Sequence, residues 1–373
     1  MRILFSGESL YPPESGGDIS ALTLLKELAK NRNYKVEAIF TGKKDEIDEY
    51  KGIKFYRKGT VFSSFPSWAK RYFLNKKWFK VLDEHLKKNK YDWIITQAVL
   101  SPASVITAKK NDMKVMLFIR GYENFCISHF RDSGTIKKHN CWKCASWKYK
   151  IQYPFFKEVI KWHKKALKQA DIIVANSKFV KKVAGNYDVK VDDVIYPVIE
   201  LKNYKTVRKK AEYITLITPT KRKGVDIFLK IADGLPNKKF LVVGRGEMDN
   251  ELKKRNNIKC VYWTNDMKKI YSRTKILLVP SIWLEPFGRV VVEAMCNDIP
   301  CIVSNIGGLP EAVGNAGIII SDIFNIQKWT GAIKKMEDEK NYQMYSKKSK
   351  EQAKKFDYKI EYKKFDNILN KSK

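Results

Sequence analysis

At 373 residues and 44% apolar, the chain has the length and composition of two globular domains. No apolar run reaches bilayer-spanning length, the opening MRILFSG is too short for a secretory signal, and six cysteines are too few for a disulfide framework, so membrane-spanning and disulfide-built classes are set aside and a cytoplasmic protein is expected. The 73 Lys and Arg against 40 Asp and Glu leave a net charge of +33, an excess that asks for an acidic partner: nucleic acid, an anionic membrane face or an acidic substrate.

Arg2 to Ser6 reads as a short buried strand. The loop Gly7 to Gly17 follows, with Pro12 and Pro13 blocking helix and Gly16-Gly17 freeing the backbone. Asp18 is the expected N-cap of a helix whose Ile19, Leu22, Leu25 and Leu28 share one face. Strand, glycine turn and helix open a βαβ unit, but without G-x-G-x-x-G a dinucleotide fingerprint is not supported. Lys35 to Phe40, Trp93 to Thr96 and Lys114 to Ile119 are further strands. Phe55 to Lys90 interleaves lysines with aromatics, among them Tyr72, Phe73, Trp78 and Phe79. That pattern can bind nucleic acid or lipid, and is more often a helix with its aromatic side packed inward. Arg120 directly follows a strand, where open α/β sheets carry ligand groups, and a guanidinium there suits phosphate or carboxylate. Cys126, Cys141 and Cys144 with His129 form a candidate structural zinc set, since Cys-x-x-Cys presents two thiolates to one tetrahedral metal. Phe155 to Gln169 reads as a basic amphipathic helix, Asp171 to Ala175 as a strand, and Asn176-Ser177 as the cap of a helix over Lys178 to Ala184. The lysine-rich link from about Glu200 to Ala211 is the expected domain boundary.

The second half restarts with a strand, Tyr213 to Thr218, and the turn PTKRKG. Lys221, Arg222 and Lys223 there precede Gly224 and a helix, and cations at a strand-to-helix turn suit phosphate. Phe240 to Val243 ends in Gly244, the start of a second glycine turn at the sheet's ligand edge. Cys260 to Trp263 and Lys275 to Val279 read as strands, and Cys260, Cys296 and Cys301 as small core residues. Ser281 to Val313 then reads as loop, helix, buried strand, Gly-Gly turn and helix start. Pro286 ends any extended run, Gly288 turns the backbone sharply, and the helix from Val290 to Met295 aims its free N–H groups at the loop, an expected anion site. Glu285 in the loop and Glu293 in the helix stand eight apart, so they reach different parts of one ligand rather than share a proton. A phosphate-bearing polyol fits: carboxylates accept from hydroxyls, and the helix end takes the phosphate. Helices are expected from Asn325, over Lys334 to Lys355, and over Tyr358 to Leu369.

Glu285-Pro286-Phe287-Gly288 with Glu293, followed by Pro300, Ser304, Gly307, Gly308 and Glu311, resembles the signature of glycosyltransferase family 4, the retaining GT-B transferases that use nucleotide sugars. The resemblance is strong from about Tyr213 to Val313 and diffuse in the first half. It implies an α/β GT-B fold with two Rossmann-like, doubly wound domains facing across a cleft. Residues 1–200 would be the acceptor-side domain with a Cys-containing insert at about 124–150. Residues 201–355 would bind the nucleotide sugar, and a final helix in 356–373 would cross back to the first domain.

By the same resemblance, Glu285 contacts the transferred sugar and Glu293 the ribose. The backbone of Phe287, Gly288, Arg289 and Val290 holds sugar and diphosphate, and Lys223 with Arg222 neutralises the diphosphate. Gly17 approaches it from the first half, and Gly244 joins the donor set. Two positions depart from the family: Arg120 replaces a frequent His, and Thr218 a frequent Arg. Lys223, Glu285 and Arg120 are the catalytic candidates. No Asp-x-Asp pair is placed to bridge a diphosphate and magnesium, so no metal or other cofactor is expected in the reaction beyond the nucleotide-sugar co-substrate. Expected partners are that nucleotide sugar, a glycan or lipid-linked acceptor, and an anionic membrane at whose inner face the protein would sit peripherally. The rival readings are a GT-B epimerase or phosphorylase, a glycosidase using the glutamates as an acid/base pair, and a basic nucleic-acid-binding protein. A hydrolase needs no phosphate-binding lysine turn, and no helix-turn-helix, zinc-finger or RNP pattern supports nucleic acid.

Overall fold

The computed structural model describes residues 1–59, 67–125, 150, 153–207, 211–244, 249–262, 264 and 266–371. The candidate zinc set Cys126, His129, Cys141 and Cys144 lies outside these residues. The chain divides into two compact units, Met1–Val198 with Lys364–Lys373, and Ile199–Lys363.

The first unit runs β1 (Arg2–Gly7), α1 (Gly16–Lys30), β2 (Lys35–Gly42), β3 (Glu46–Tyr50), β4 (Ile53–Gly59), α2 (Ser67–Lys88), β5 (Trp93–Gln97), α3 (Ser101–Lys110), β6 (Lys114–Ile119), α4 (Tyr153–Gln169), β7 (Ile172–Ala175), α5 (Lys178–Gly185) and β8 (Asp193–Val194). Its sheet has the order β3-β4-β2-β1-β5-β6-β7-β8, with only β3 antiparallel to its neighbour. The central strands are apolar throughout because helices cover both faces: Ile3 to Phe5 and Val115 to Ile119 are at most 1% exposed. The β3–β4 hairpin escapes a reading by hydrophobic pattern. Its sequence EIDEY is that of a polar edge strand, and charge on an edge discourages pairing with another chain. The N-terminus of α1 also differs from expectation. Ser15, not Asp18, is the N-cap, and Asp18 is the third helical residue, where its carboxylate accepts from the Ser15 N–H at 3.0 Å while Ser15 Oγ accepts from the Asp18 N–H at 3.2 Å. This is a capping box, which satisfies two backbone donors where a lone Asp18 cap would satisfy one.

The second unit contains β9 (Tyr213–Ile217), α6 (Val225–Asp233), β10 (Phe240–Val243), α7 (Asp249–Lys253), β11 (Ile258–Val261), α8 (Met267–Tyr271), β12 (Thr274–Val279), α9 (Arg289–Met295), β13 (Cys301–Ser304), α10 (Leu309–Val313), β14 (Gly317–Ile320), α11 (Ile326–Glu337) and α12 (Glu339–Lys354). Asp338 separates the last two: its carboxylate caps the Asn341 N–H at 3.1 Å and breaks the continuous helix expected there. The last helix, α13 (Tyr358–Lys371), begins in the second unit, and its residues from Lys364 onward group with the first. There Phe365 is fully buried and stacks on Phe118, with ring centroids 6.0 Å apart.

The second sheet is parallel with order β11-β10-β9-β12-β13-β14. Winding reverses between β9 and β12. In open α/β sheets the ligand crevice lies outside the carboxyl ends of the strands at this switch point. The segments that leave those two ends are Thr218 to Lys223 and Pro280 to Glu285. In the first unit the corresponding reversal lies between β1 and β5.

Candidate functional site

The two switch-point segments of the second unit are locked together through backbone. The Arg222 carbonyl accepts from the Ile282 N–H at 3.0 Å and the Trp283 N–H at 3.3 Å. Gly224 adopts φ +77°, and a Cβ there would land on the Pro280 carbonyl oxygen, so only glycine permits the approach. A one-turn 3-10 helix, Lys221–Lys223, precedes it and is capped by Thr220, whose Oγ1 faces the Lys223 N–H at 3.4 Å. This places Lys223 on the far loop: its ammonium pairs with Glu285 Oε1 and lies 5.9 Å from the Trp283 ring centre. Ser281, fully buried, donates from Oγ to the same Glu285 oxygen at 3.1 Å. The Glu285 residue is 5% exposed, whereas the Lys223 side chain keeps 27% of its surface in solvent. A buried carboxylate is thus held by a cation that an incoming anion can reach. The Arg222 side chain is exposed, and its part in this contact is played by the main chain.

The Gly-Gly pair holds the loop from the other side. Gly307 lies at φ +64°, and a Cβ on it would strike the Glu285 carbonyl oxygen; one on Gly308 would come within 2.8 Å of the Phe287 Cα. The Gly308 N–H donates to the Glu285 carbonyl at 2.7 Å. Gly288 opens α9, a helix of seven residues. Two turns carry only a modest dipole, so Lys223 is the larger positive charge at this edge. Phe287 turns its ring into the core, 2% exposed and edge-on to Phe356 at 5.1 Å, which leaves only its backbone for the loop. Val290 is half-buried in the first turn of α9, and a Cβ on Gly244, just after β10, would sit 3.5 Å from the Thr218 Cα.

Glu293, one turn along α9, is 6% exposed and already well supplied with donors. Tyr271 O–H donates to Oε2 at 2.9 Å and Arg289 Nε to Oε1 at 3.2 Å, while Arg289 Nη2 donates to Tyr204 O–H at 3.0 Å. Burial and then the Glu293 charge push the Tyr271 phenol well above its ordinary range, so it remains a donor. Burial acts to lower the Arg289 pKa, but the Glu293 charge, Tyr204 and the hydrogen bonds to both together outweigh it and keep the guanidinium charged. Sequence reasoning found Glu293 and Arg289 but missed Tyr271 and Tyr204, which are 22 residues from Glu293 and 85 from Arg289. Ser281 was in view only as the residue that opens the motif.

In the first unit, Arg120 and Gly17 come together at the carboxyl edge of the sheet. Arg120 Nε donates to Gln97 Oε1 and Nη1 to Ser20 Oγ at 3.3 Å, with the guanidinium 4.8 Å from the Phe118 ring centre. A Cβ on Gly17 would sit 3.5 Å from Arg120 Cδ, an ordinary contact. Two carboxylates join this edge unannounced. Burial raises the pKa of both Glu8 and Glu123 despite nearby cations, of which Arg71 acts on both. Among the described residues, no group of three or more His, Cys, Asp and Glu could hold a metal ion.

Comparison with known proteins bears on both halves. The family described as Glycosyltransferase Family 4 matches residues 15–202, and Glycosyl transferases group 1 matches residues 201–356. An Escherichia coli UDP-Gal:alpha-D-GlcNAc-diphosphoundecaprenol alpha-1,3-galactosyltransferase is 30% identical over 123 residues, 30% of this chain and 31% of that protein. An uncharacterised 41.2 kDa protein of a Klebsiella pneumoniae cps region is 28% identical over 209 residues, 47% of this chain and 58% of that protein. These matches therefore span about a third to somewhat over half of the relatives' lengths. Among solved structures, sucrose-phosphate synthase from Thermosynechococcus elongatus superposes with a TM-score of 0.75 at 16% identity, covering 99% of this chain and 98% of that one. Anabaena HepE in complex with UDP-glucose gives 0.69 at 15% identity, covering 100% of both chains. At such identities the structures share the fold.

Proposed function

The chain belongs to glycosyltransferase family 4 and has the GT-B fold, and from that premise we propose that it is a retaining transferase moving a sugar from a UDP- or GDP-linked donor to a glycan or lipid-linked acceptor. The observation that carries this reading is the Lys223–Glu285 pair at the switch point, pinned by Ser281 and by two glycine contacts. A diphosphate and a carboxylate compete for the same ammonium. When the diphosphate takes Lys223, Glu285 is released towards the sugar hydroxyls, where its acceptor oxygens orient the ring. As the glycosidic bond breaks, negative charge grows on the leaving diphosphate, and a preplaced lysine stabilises it more than the ground state. Glu293 is proposed to meet the ribose with its remaining lone pair, since Tyr271 and Arg289 fix its orientation.

Arg120, held by Gln97 and Ser20, is proposed as the cation of the first unit that meets an anionic part of a substrate. The E. coli relative is named for a UDP-sugar donor and a diphosphoundecaprenol acceptor, and the HepE structure holds UDP-glucose; both favour uridine donors here, and the first favours a lipid-linked acceptor. A thermal-shift series over UDP, GDP and ADP sugars tests the donor class. A rise in Tm with one nucleotide series is expected, and no response to any of the three would end the proposal. Product anomer analysis by NMR then separates retention from inversion, and sugar conversion without an acceptor would favour the epimerase alternative.

A further inference from the structure

We propose that the amino edge of the first sheet carries a second binding site, whose ligand is a stretch of neutral glycan. A cleft of about 650 Å³ opens at that edge, walled by residues of the first unit. Its floor is aromatic: Tyr34, Tyr91 and Trp93 are at most 8% exposed. Its rim is polar. Asp92 and Asp112 stand where the chain enters β5 and β6, Lys114 is the first residue of β6, and Asp366 and Asn370 come from α13. The α13 side is built into the fold: Tyr34 O–H donates to Asp366 Oδ1 at 2.5 Å, and Asn370 Nδ2 donates to Asp366 Oδ2 at 3.3 Å. Asp92 Oδ2 accepts from the Arg2 N–H at 2.6 Å. Both carboxylates are thereby oriented and keep lone pairs for a ligand. Asp112 is held differently. It takes a left-handed φ of +59°, where glycine is the easier choice, and its carboxylate has no partner among the described residues.

The mixture of groups selects the ligand. A sugar hydroxyl both donates and accepts, so carboxylates suit its hydrogen, and amide or ammonium N–H groups suit its lone pairs. Acceptors alone would suit a cation, but Lys114 and Asn370 set donors among the three acids. Among the described residues no group of three or more His, Cys, Asp and Glu could hold a metal ion, and the +33 charge of the chain disfavours cations at long range. An anion would meet three carboxylates. β6 leads from Lys114 at the cleft to Ile119, directly before Arg120, and six strand residues span about 20 Å. The cleft therefore lies at the edge opposite Arg120 and Gly17, apart from the groups already assigned to substrates in this unit. Its purpose rests on the reading above, in which the acceptor is a glycan: a long acceptor held at both edges is presented at a raised effective concentration.

Hydrogen exchange of the full chain, read by mass spectrometry, tests the proposal with maltohexaose, mannohexaose and galactohexaose as probes. With a Kd of about 1 mM, about 10 mM of at least one of them should slow exchange at residues 31–36, 91–95 and 112–116. The variant D92N/D112G keeps an acceptor for the Arg2 N–H and puts glycine at the left-handed position, so it should fold with the wild-type Tm. It should need at least about tenfold more hexasaccharide for half-protection, with the Tm shift on adding the donor nucleotide unchanged. No protection by any hexasaccharide, equal affinity in the variant, or protection of the same segments by spermidine or inorganic pyrophosphate in place of sugar would each overturn the glycan cleft. Hexasaccharide protection without a Tm response to any nucleotide sugar would overturn the donor reading and leave the cleft standing; the reverse pair of results would do the opposite.

Discussion

The carboxyl edges of the two sheets carry their charged groups by different means. In the second unit the groups come from two contiguous stretches, Thr218 to Gly224 and Pro280 to Gly308, and the backbone beneath the Lys223–Glu285 pair is fixed by main-chain hydrogen bonds and by close approaches at Gly224, Gly307 and Gly308. In the first unit the edge is assembled from single side chains on separate segments: Ser20 on α1, Gln97 ending β5 and Arg120 after β6. Backbone-to-glycine contact tolerates almost no substitution, because any Cβ meets a main-chain atom that cannot move aside. Side chains that meet through their ends can be exchanged for others of similar reach. In the proposed function, the rigid construction meets the nucleotide sugar and the side-chain construction the acceptor.

The sharpest way to break this contrast is a matched pair of glycine substitutions. Gly307→Ala should abolish transfer, more than about a thousandfold, and destabilise the second unit by about 3 kcal/mol, since it combines a left-handed φ with a collision against Glu285. Gly17→Ala, whose nearest neighbours lie at 3.5 Å, should cost under about 1 kcal/mol. Comparable urea midpoints for the two variants would erase the distinction. Next in size, Lys223→Ala should lower kcat/KM about 100- to 1000-fold, as loss of a preplaced leaving-group charge does. An unchanged kcat/KM would move the diphosphate elsewhere.

Acid sensitivity should belong to the first unit. Burial pushes His85, which shares a 2.9 Å hydrogen bond with Tyr91, down to about 4. The unfolded chain binds that proton near 6.5 and the folded chain does not. Stability is therefore fully present above pH 6.5 and is lost as pH falls towards 4, by on the order of 3 kcal/mol. The difference in unfolding free energy between wild type and His85→Gln, followed across that window, should show this slope, and parallel curves would refute it. Glu285→Gln should reduce transfer about a hundredfold yet tighten binding of free UDP several-fold, because Lys223 loses its competing carboxylate. Titration calorimetry reads the second effect, and weaker UDP binding would contradict the competition. The smallest effect is expected of Arg120→Ala, about tenfold in KM for the acceptor with kcat little changed; a loss confined to kcat would make it a catalytic group instead.

Much of the second unit could be read from the chain alone, because its instructions are local. Alternation of strand and helix, the Lys-Gly turn, the spacing of Glu285 and Glu293 and the Gly-Gly pair all lie within about a hundred residues, and each demand on the backbone selects a residue type. The apolar strands and the caps at Ser177 and Ser15 belong to the same class, although at α1 only the reciprocal Ser15–Asp18 pair, and not either side chain alone, identifies which residue is the cap. Tertiary structure alone decided that Ser281 and Lys223 share one carboxylate oxygen, that Tyr204 and Tyr271 support Arg289 and Glu293, and that Tyr72 stacks on Trp162. None of these pairings has a period or a local motif. They arise where strand ends or helix faces meet after the sheets have formed, and a hydrogen bond between residues far apart leaves no trace in the spacing of either one.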